Sequence, residues 1–307
     1  MARDELPTRV VINQAQSTSW YATMMLMIIA VLVVFGLCLG SFVNALVWRL
    51  HEQVSESDKK KPSKSYLRDL SISKGRSMCP DCHHTLSAKD LVPVFSWLSL
   101  RGKCRYCHKP VSAQYPVVEI TTMGLFVLSY LYWPLPFTHS QIALFVLWLV
   151  LLVGFMALIV YDLKWMLLPD RIAFPLSIIA AVMAVITIST STRPAHAVLD
   201  TILAVAVGGG IFYVLYQISG GRWIGGGDVK LGWLLGLVLA TPAKAMLCIF
   251  IAALAGTLIT VPMLASGRMK RSSTIPFGPF LIVGAIIALL FGTSILGWYQ
   301  RTLIVGS

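Results

Sequence analysis

Long apolar stretches recur along this chain, parted by short polar or basic ones. Eight runs, 21–48, 117–133, 142–161, 172–188, 197–218, 229–240, 243–264 and 276–297, are candidate membrane helices, because roughly 17–25 apolar residues in helical form cover the hydrocarbon of a bilayer. The sixth run, about twelve residues long, is expected to lie tilted or half-inserted, or to borrow length from the glycines before it. The first run continues into Gly40-Ser41-Phe42 without a small-residue cleavage site, and so reads as a retained span and not a signal peptide.

Composition agrees with the pattern. Hydrophobic residues make up 57% of the 307 positions and charged ones 12%, and a mean hydropathy of +0.76 excludes an ordinary soluble protein. The expected fold is an all-α polytopic membrane protein of about eight transmembrane helices with a small cytoplasmic insert. The expected division is 1–48, an external amino terminus and first span; 49–116, a basic loop; and 117–307, a seven-span catalytic membrane domain.

Charge sets the orientation. Segments 49–116, 162–171, 219–230 and 265–275 hold 20 of the 25 lysines and arginines, which places them in the cytoplasm and both termini outside. The net charge of +12 follows from that bias and calls for no nucleic-acid partner; anionic lipid is the partner it suits.

The insert's residues 51–75, rich in Lys, Ser, Glu and Asp, read as a mobile solvated segment, with Lys59, Lys60 and Lys61 among its charges. Beyond them lie Cys79-Pro80-Asp81-Cys82 and Cys104-Arg105-Tyr106-Cys107, two C-x-x-C pairs separated by 21 residues. That spacing suits one tetrahedral zinc on four thiolates. Four protein ligands leave no place for a reactive water, so the zinc is structural; two disulfides are the alternative, disfavoured in a cytoplasmic loop. His83, His84 and His108 adjoin the cysteines and read as solvated or supporting. Cys38 and Cys248 read as plain buried residues.

Asp162 ends the third run and Asp228 opens the sixth, after Gly225-Gly226-Gly227. A carboxylate at a membrane segment is costly and marks function. Both fall on the predicted cytoplasmic face. Two aspartates sharing a proton can hydrolyse a peptide without metal or nucleophile: one deprotonates water, the other polarises the carbonyl. A helix C-terminus disfavours negative charge and an N-terminus favours it, so Asp162 is expected to be the acid and Asp228 the base. The glycines let an extended peptide lie against the backbone; otherwise they form a turn with Asp228 as N-cap. Lys164 and Lys230 read as snorkelling to headgroups, Asp170 as a cap for the fourth span, and Asp200 as interfacial.

Four stretches carry a family resemblance: Leu39-Gly40-Ser41-Phe42-Val43-Asn44; the tract from Pro93 to Glu119; Tyr161-Asp162 through Pro169-Asp170; and Gly225 to Leu231. Together they resemble the prepilin peptidases, or type IV leader peptidases, of the G-x-G-D aspartyl protease class. The resemblance implies cleavage of the basic leader from type IV prepilins and pseudopilins at the cytoplasmic face of the bacterial inner membrane, with Asp162 and Asp228 catalytic. It further implies methylation of the new amino terminus by S-adenosylmethionine. The chain departs from many relatives where Arg49-Leu50 runs into His51 and not into Leu-Pro, and where Leu91-Val92 stands for Asn-Ile. A proton-coupled transporter using the two aspartates is the rival reading, disfavoured because transport sites lie near the midplane. An intramembrane protease cutting lipid-embedded helices and a noncatalytic scaffold for a pilus or secretion machine are the others.

Overall fold

Backbone groups that meet hydrocarbon must be satisfied within their own segment, and helices form wherever the sequence is apolar. The computed structural model describes residues 6–59, 63–72, 75–267 and 275–304, with side chains from residue 20 to residue 302 of those. Lys60, Lys61 and most of the basic segment 265–275 lie outside the described residues. The helices are α1 (Leu6–Ser57), α2 (Lys64–Asp69), α3 (Phe95–Ser99), α4 (Gln114–Leu131), α5 (His139–Trp165), α6 (Asp170–Ser189), α7 (Pro194–Val205), α8 (Ile211–Ser219), α9 (Gly226–Leu239), α10 (Pro242–Ala265) and α11 (Gly278–Tyr299). A π turn, Ala206–Gly210, fuses α7 and α8 into one rod.

Among the described residues six helices are long and apolar enough to cross a membrane, so the count of eight is not reproduced. The run 117–133 is helical as α4, but buried Glu119 interrupts its apolar face. The run 229–240 is helical as α9, which does borrow Gly226–Asp228; its 14 residues rise only about 21 Å, short of the roughly 30 Å hydrocarbon core.

The chain divides into two compact units. One takes α1 as far as Ser41 together with Met78–Leu131; the other takes Phe42–Ser77 and everything from Tyr132 onward. In the first, α1 and α4 meet backbone to backbone. A Cβ on Gly36 would lie 2.5 Å from Met123 Cα, and one on Gly40 2.6 Å from Glu119 Cα, so the Gly36-x-x-x-Gly40 spacing is what lets them touch.

In the second unit α5 is the central helix, with Trp148, Leu151, Leu152, Phe155 and Leu158 almost wholly buried. Helices α6 and α11 pack on α5, and α9 packs on α6, α11 and the α7–α8 rod. Gly232 and Gly236 of α9 face the π turn, where a Cβ on Gly232 would stand 2.2 Å from the Gly208 carbonyl oxygen. This seam sets the place of α9, and with it of Asp228.

The reading of 51–75 as a simple solvated run is corrected. Helix α1 continues to Ser57, and Arg49, Glu56 and Leu70 are buried. Arg49 donates to the carbonyls of Ser71, Ile72 and Gly75 at 3.1–3.3 Å, and Gln53 donates to that of Leu70 at 2.8 Å. Glu56 accepts from the Ser63 N–H at 2.9 Å. Polar side chains thus stitch the α2 segment to α1, so composition alone misjudged it. With no proline at 51 the helix passes unbroken, and His51 stacks on Trp165 of α5 with ring centres 3.9 Å apart.

Candidate active site and metal centre

Asp162 lies in the last turn of α5, which ends where Met166 turns left-handed and returns its N–H to the Asp162 carbonyl at 2.8 Å. The residue is 5% exposed, so its carboxylate must find partners within the protein. One is the backbone N–H of Gly278, the first residue of α11. A Cβ at position 278 would sit 2.6 Å from Asp162 Oδ2, so any side chain there pushes the carboxylate aside. Gly278 was not singled out from sequence; its signal was a glycine between Pro276 and Pro279 where an apolar run begins.

Asp228 is half-buried and is the third residue of α9, whose N-cap is Gly225. That corrects its reading as an N-cap. Its own N–H bonds to the Gly225 carbonyl at 3.1 Å, and its carboxylate reaches back to the Gly225 N–H, the returning half of a capping box. Asp162 and Asp228 stand within electrostatic reach of each other. Leu168 closes one flank, 3.1 Å from where a Gly227 Cβ would be and 3.6 Å from a Gly278 one.

Two expectations change here. Both carboxylates receive an N–H from the start of a helix, so helix ends alone do not divide acid from base. The three glycines are also unlike: Cβ atoms on Gly225 and Gly226 would meet nothing nearer than 3.8 Å, whereas Gly227 is packed against Leu168.

Of the neighbours, Lys230 pairs with Asp170 at 2.6 Å, an exposed bond worth about 0–1 kcal/mol. Lys230 is therefore ion-paired, and Asp170 is the first residue of α6, whose cap is Pro169. Lys164 Nζ lies 5.5 Å from the Trp165 ring centre. Cys248 is buried as expected, but Cys38 is exposed on α1.

The four cysteines come together. One ligand atom from each of Cys79, Cys82, Cys104 and Cys107 lies within 4.8 Å of the others, and Cys79 Sγ is 3.9 Å from Cys107 Sγ. Zinc–sulfur bonds of about 2.3 Å in a tetrahedron put the sulfurs about 3.8 Å apart, so the site fits zinc. Each pair sits on the same turn: His83 N–H to Cys79 O and His108 N–H to Cys104 O, both at 3.0 Å. His83 and His108 take positive φ of 55° and 57°, so they close the turns, and the His84 ring lies tilted against that of Tyr106, with centres 3.7 Å apart. Burial would raise the Cys104 thiol, but the Cys107 and Tyr106 N–H groups outweigh it and bring it down to about 7; burial leads in holding Cys79 up. Chelating the metal from the intact protein should abolish amide-exchange protection across 79–110, since such ligation contributes about 10–16 kcal/mol in small zinc domains. Retained protection after metal loss would show that the insert folds without it.

A bundle of membrane-length helices with two aspartates within electrostatic reach at helix ends, and a four-thiol insert on a separate unit, marks a class of polytopic membrane proteins with acidic residues at helix ends. Comparison with known proteins narrows it. A family profile described as "Bacterial Peptidase A24 N-terminal domain" matches residues 34–133, and one described as "Type IV leader peptidase family" matches residues 149–261. The "Prepilin leader peptidase/N-methyltransferase" of Aeromonas salmonicida (strain A449) is 30% identical over 281 residues, covering 88% of this chain and 93% of the relative. That of Bacillus subtilis (strain 168) is 30% identical over 274 residues, covering 89% and 98%. That of Burkholderia pseudomallei (strain K96243) is 31% identical over 283 residues, covering 86% of each. No solved structure matches. The chain belongs to the type IV leader peptidase family.

Proposed function

We propose that the protein is a membrane aspartyl endopeptidase that removes the basic leader from type IV prepilins and pseudopilins, and that it also N-methylates the new amino terminus. The observation that carries this reading is that Asp162 and Asp228, drawn from α5 and α9, stand within electrostatic reach of each other. Two carboxylates this close do not both ionise readily, so the pair holds one proton between them. The ionised member takes a proton from water as its oxygen attacks the scissile carbonyl, and the protonated member gives its proton to the carbonyl oxygen. Collapse of the tetrahedral diol breaks the C–N bond: one hydroxyl gives its proton to the ionised member, the protonated member gives its own to the leaving amine, and the pair is left with its single proton.

Gly225 and Gly226, exposed and with open space where a Cβ would be, form the surface along which the substrate backbone lies; Gly227 serves the packing against Leu168. The fold places no glycine or acid demand on a transporter reading, and the family membership gives that rival no support. The working membrane is the bacterial inner membrane, with the aspartates at its cytoplasmic face, where the positively charged segments lie. The zinc is structural.

S-adenosylmethionine would supply the methyl group. The cavity of ≈ 10 Å³ beside the glycine seam, lined by apolar residues such as Phe212, Leu235, Cys248 and Leu281, is far below the roughly 300–1,000 Å³ of small-molecule sites and offers no polar side chain to a ribose. It does not fit the donor, and no step is derived through it.

Cleavage of a purified pilin precursor by the intact protein in detergent, with the mature amino terminus read by mass spectrometry, tests the proposal. The expected product is cut just before the apolar helix and, with S-adenosylmethionine present, carries one added methyl group. Intact precursor after incubation with folded protein would overturn the peptidase reading. Gly278→Ala should keep the fold yet lower cleavage about 10²-fold, mainly in kcat, because a displacement of about 1 Å at a reacting group has that effect. Unchanged kcat would show that the Gly278 contact is mere packing.

A further inference from the structure

The first unit carries an apolar surface that the zinc insert leaves uncovered. Phe95 is 68% exposed, Leu98 58%, Val92 46% and Leu91 40%. Phe95 and Leu98, three apart on α3, share one side of it, and Val92 joins them across the turn through the bond from Ser96 N–H to Val92 O at 3.0 Å. A small water-soluble knob would bury such residues.

Its depth is fixed by hydrogen bonding. The Val94 N–H donates to the buried Glu119 carboxylate at 2.6 Å, and Glu119 lies against Gly40 of α1. Gly40 is eight residues inside the end of the apolar run 21–48, about 12 Å along the helix axis. On α4, Val117 and Ile120 flank Glu119 and are 58% and 48% exposed, so further apolar side chains stand open beside the carboxylate that holds the patch. Val94 itself is held at φ 62°, the centre of a tight turn closed by Phe95 N–H to Pro93 O at 2.6 Å. A β-branched residue persists there only when its surroundings impose it; Glu119 supplies one such constraint.

Cationic residues adjoin the patch in sequence. Lys89, Arg101 and Lys103 are exposed, while the nearby Asp90 is taken up by Arg105 at 2.7 Å. We propose that this face of the insert is a membrane-docking surface, with Val92, Phe95 and Leu98 among the acyl chains and Lys89, Arg101 and Lys103 at anionic headgroups. Apolar residues ringed by cations are the signature of an interfacial segment. The same cations repel a basic leader, which argues against a substrate groove. The inference stands apart from the peptidase reading, since it concerns where the insert lies and not what it cuts.

The test places a photoreactive phenylalanine analogue at position 95, and separately at 98, in the full zinc-loaded chain in phosphatidylethanolamine–phosphatidylglycerol bilayers, with exposed Thr85 as the reference position. Irradiation with pilin precursor present, followed by mass spectrometry, is expected to yield phospholipid adducts at 95 and 98 several-fold above those at 85, falling when phosphatidylglycerol is left out. Adducts to the precursor in place of lipid would overturn the proposal in favour of a substrate dock. Adducts to neither, with zinc retained, would overturn it by showing a face in water.

Discussion

Asp162→Asn and Asp228→Asn are each expected to lose pilin-precursor cleavage by about 10²–10⁴-fold, the usual contribution of a positioned acid or base, while keeping fold and membrane insertion. Asparagine has nearly the same shape as aspartate, can still accept the Gly278 or Gly225 N–H, and spares Asp162 the cost of burying a charge. The loss is therefore chemical and not structural. In the proposed mechanism the two carboxylates share one proton, so removing either removes both functions, and the double variant should be no slower than the worse single one. Cleavage by single-turnover assay, with thermal melting in detergent as a check on folding, decides it. If both variants retain cleavage, the paired-carboxylate mechanism is wrong. If only one does, the acid and base do not come from this pair.

Gly232→Ala should be the most disruptive single methyl in the second unit. Its Cβ would stand 2.2 Å from the Gly208 carbonyl oxygen and 2.9 Å from Phe212 Cδ2. A carbonyl in a helix cannot swing aside as a side chain can, so α9 or the π turn must shift. Overpacking of this kind costs about 1–3 kcal/mol or more. Asp228 is one turn earlier on the same face of α9, so the shift reaches the site, and a displacement near 1 Å would lower cleavage about 10²-fold. Gly210→Ala is the matched control, because a Cβ there meets nothing within 4 Å; it should leave melting and cleavage near those of the original chain. Equal behaviour of the two variants would show that the seam yields more easily than its distances imply.

Some features were legible in the chain because they rest on local spacing. Apolar runs long enough for a bilayer announce helices, and the C-x-x-C pairs announce a four-thiol site, since each turn needs only its own few residues. Other features were not. Glu119 reads as a charge in an apolar run, and only its contacts with Val94 and Gly40 explain it. Arg49 reads as a basic residue flanking a span, yet it is buried as a clamp on the carbonyls of Ser71, Ile72 and Gly75. The roles drawn from helix ends failed to separate the aspartates because α11, 116 residues beyond Asp162, delivers its own N-terminus to that carboxylate.

By itself, then, the sequence determined that the chain is a helical membrane protein, which four thiols cluster as a possible metal site and which two aspartates to watch. These follow from hydropathy, charge and short-range spacing, which need no knowledge of distant neighbours. Only the tertiary structure decided that Asp162 and Asp228 stand within electrostatic reach, that a side chain at position 278 would press on Asp162, and that Gly232 and Gly208 set the place of α9. Those depend on which helix faces pack together, and packing is specified by contacts between residues tens to more than a hundred positions apart.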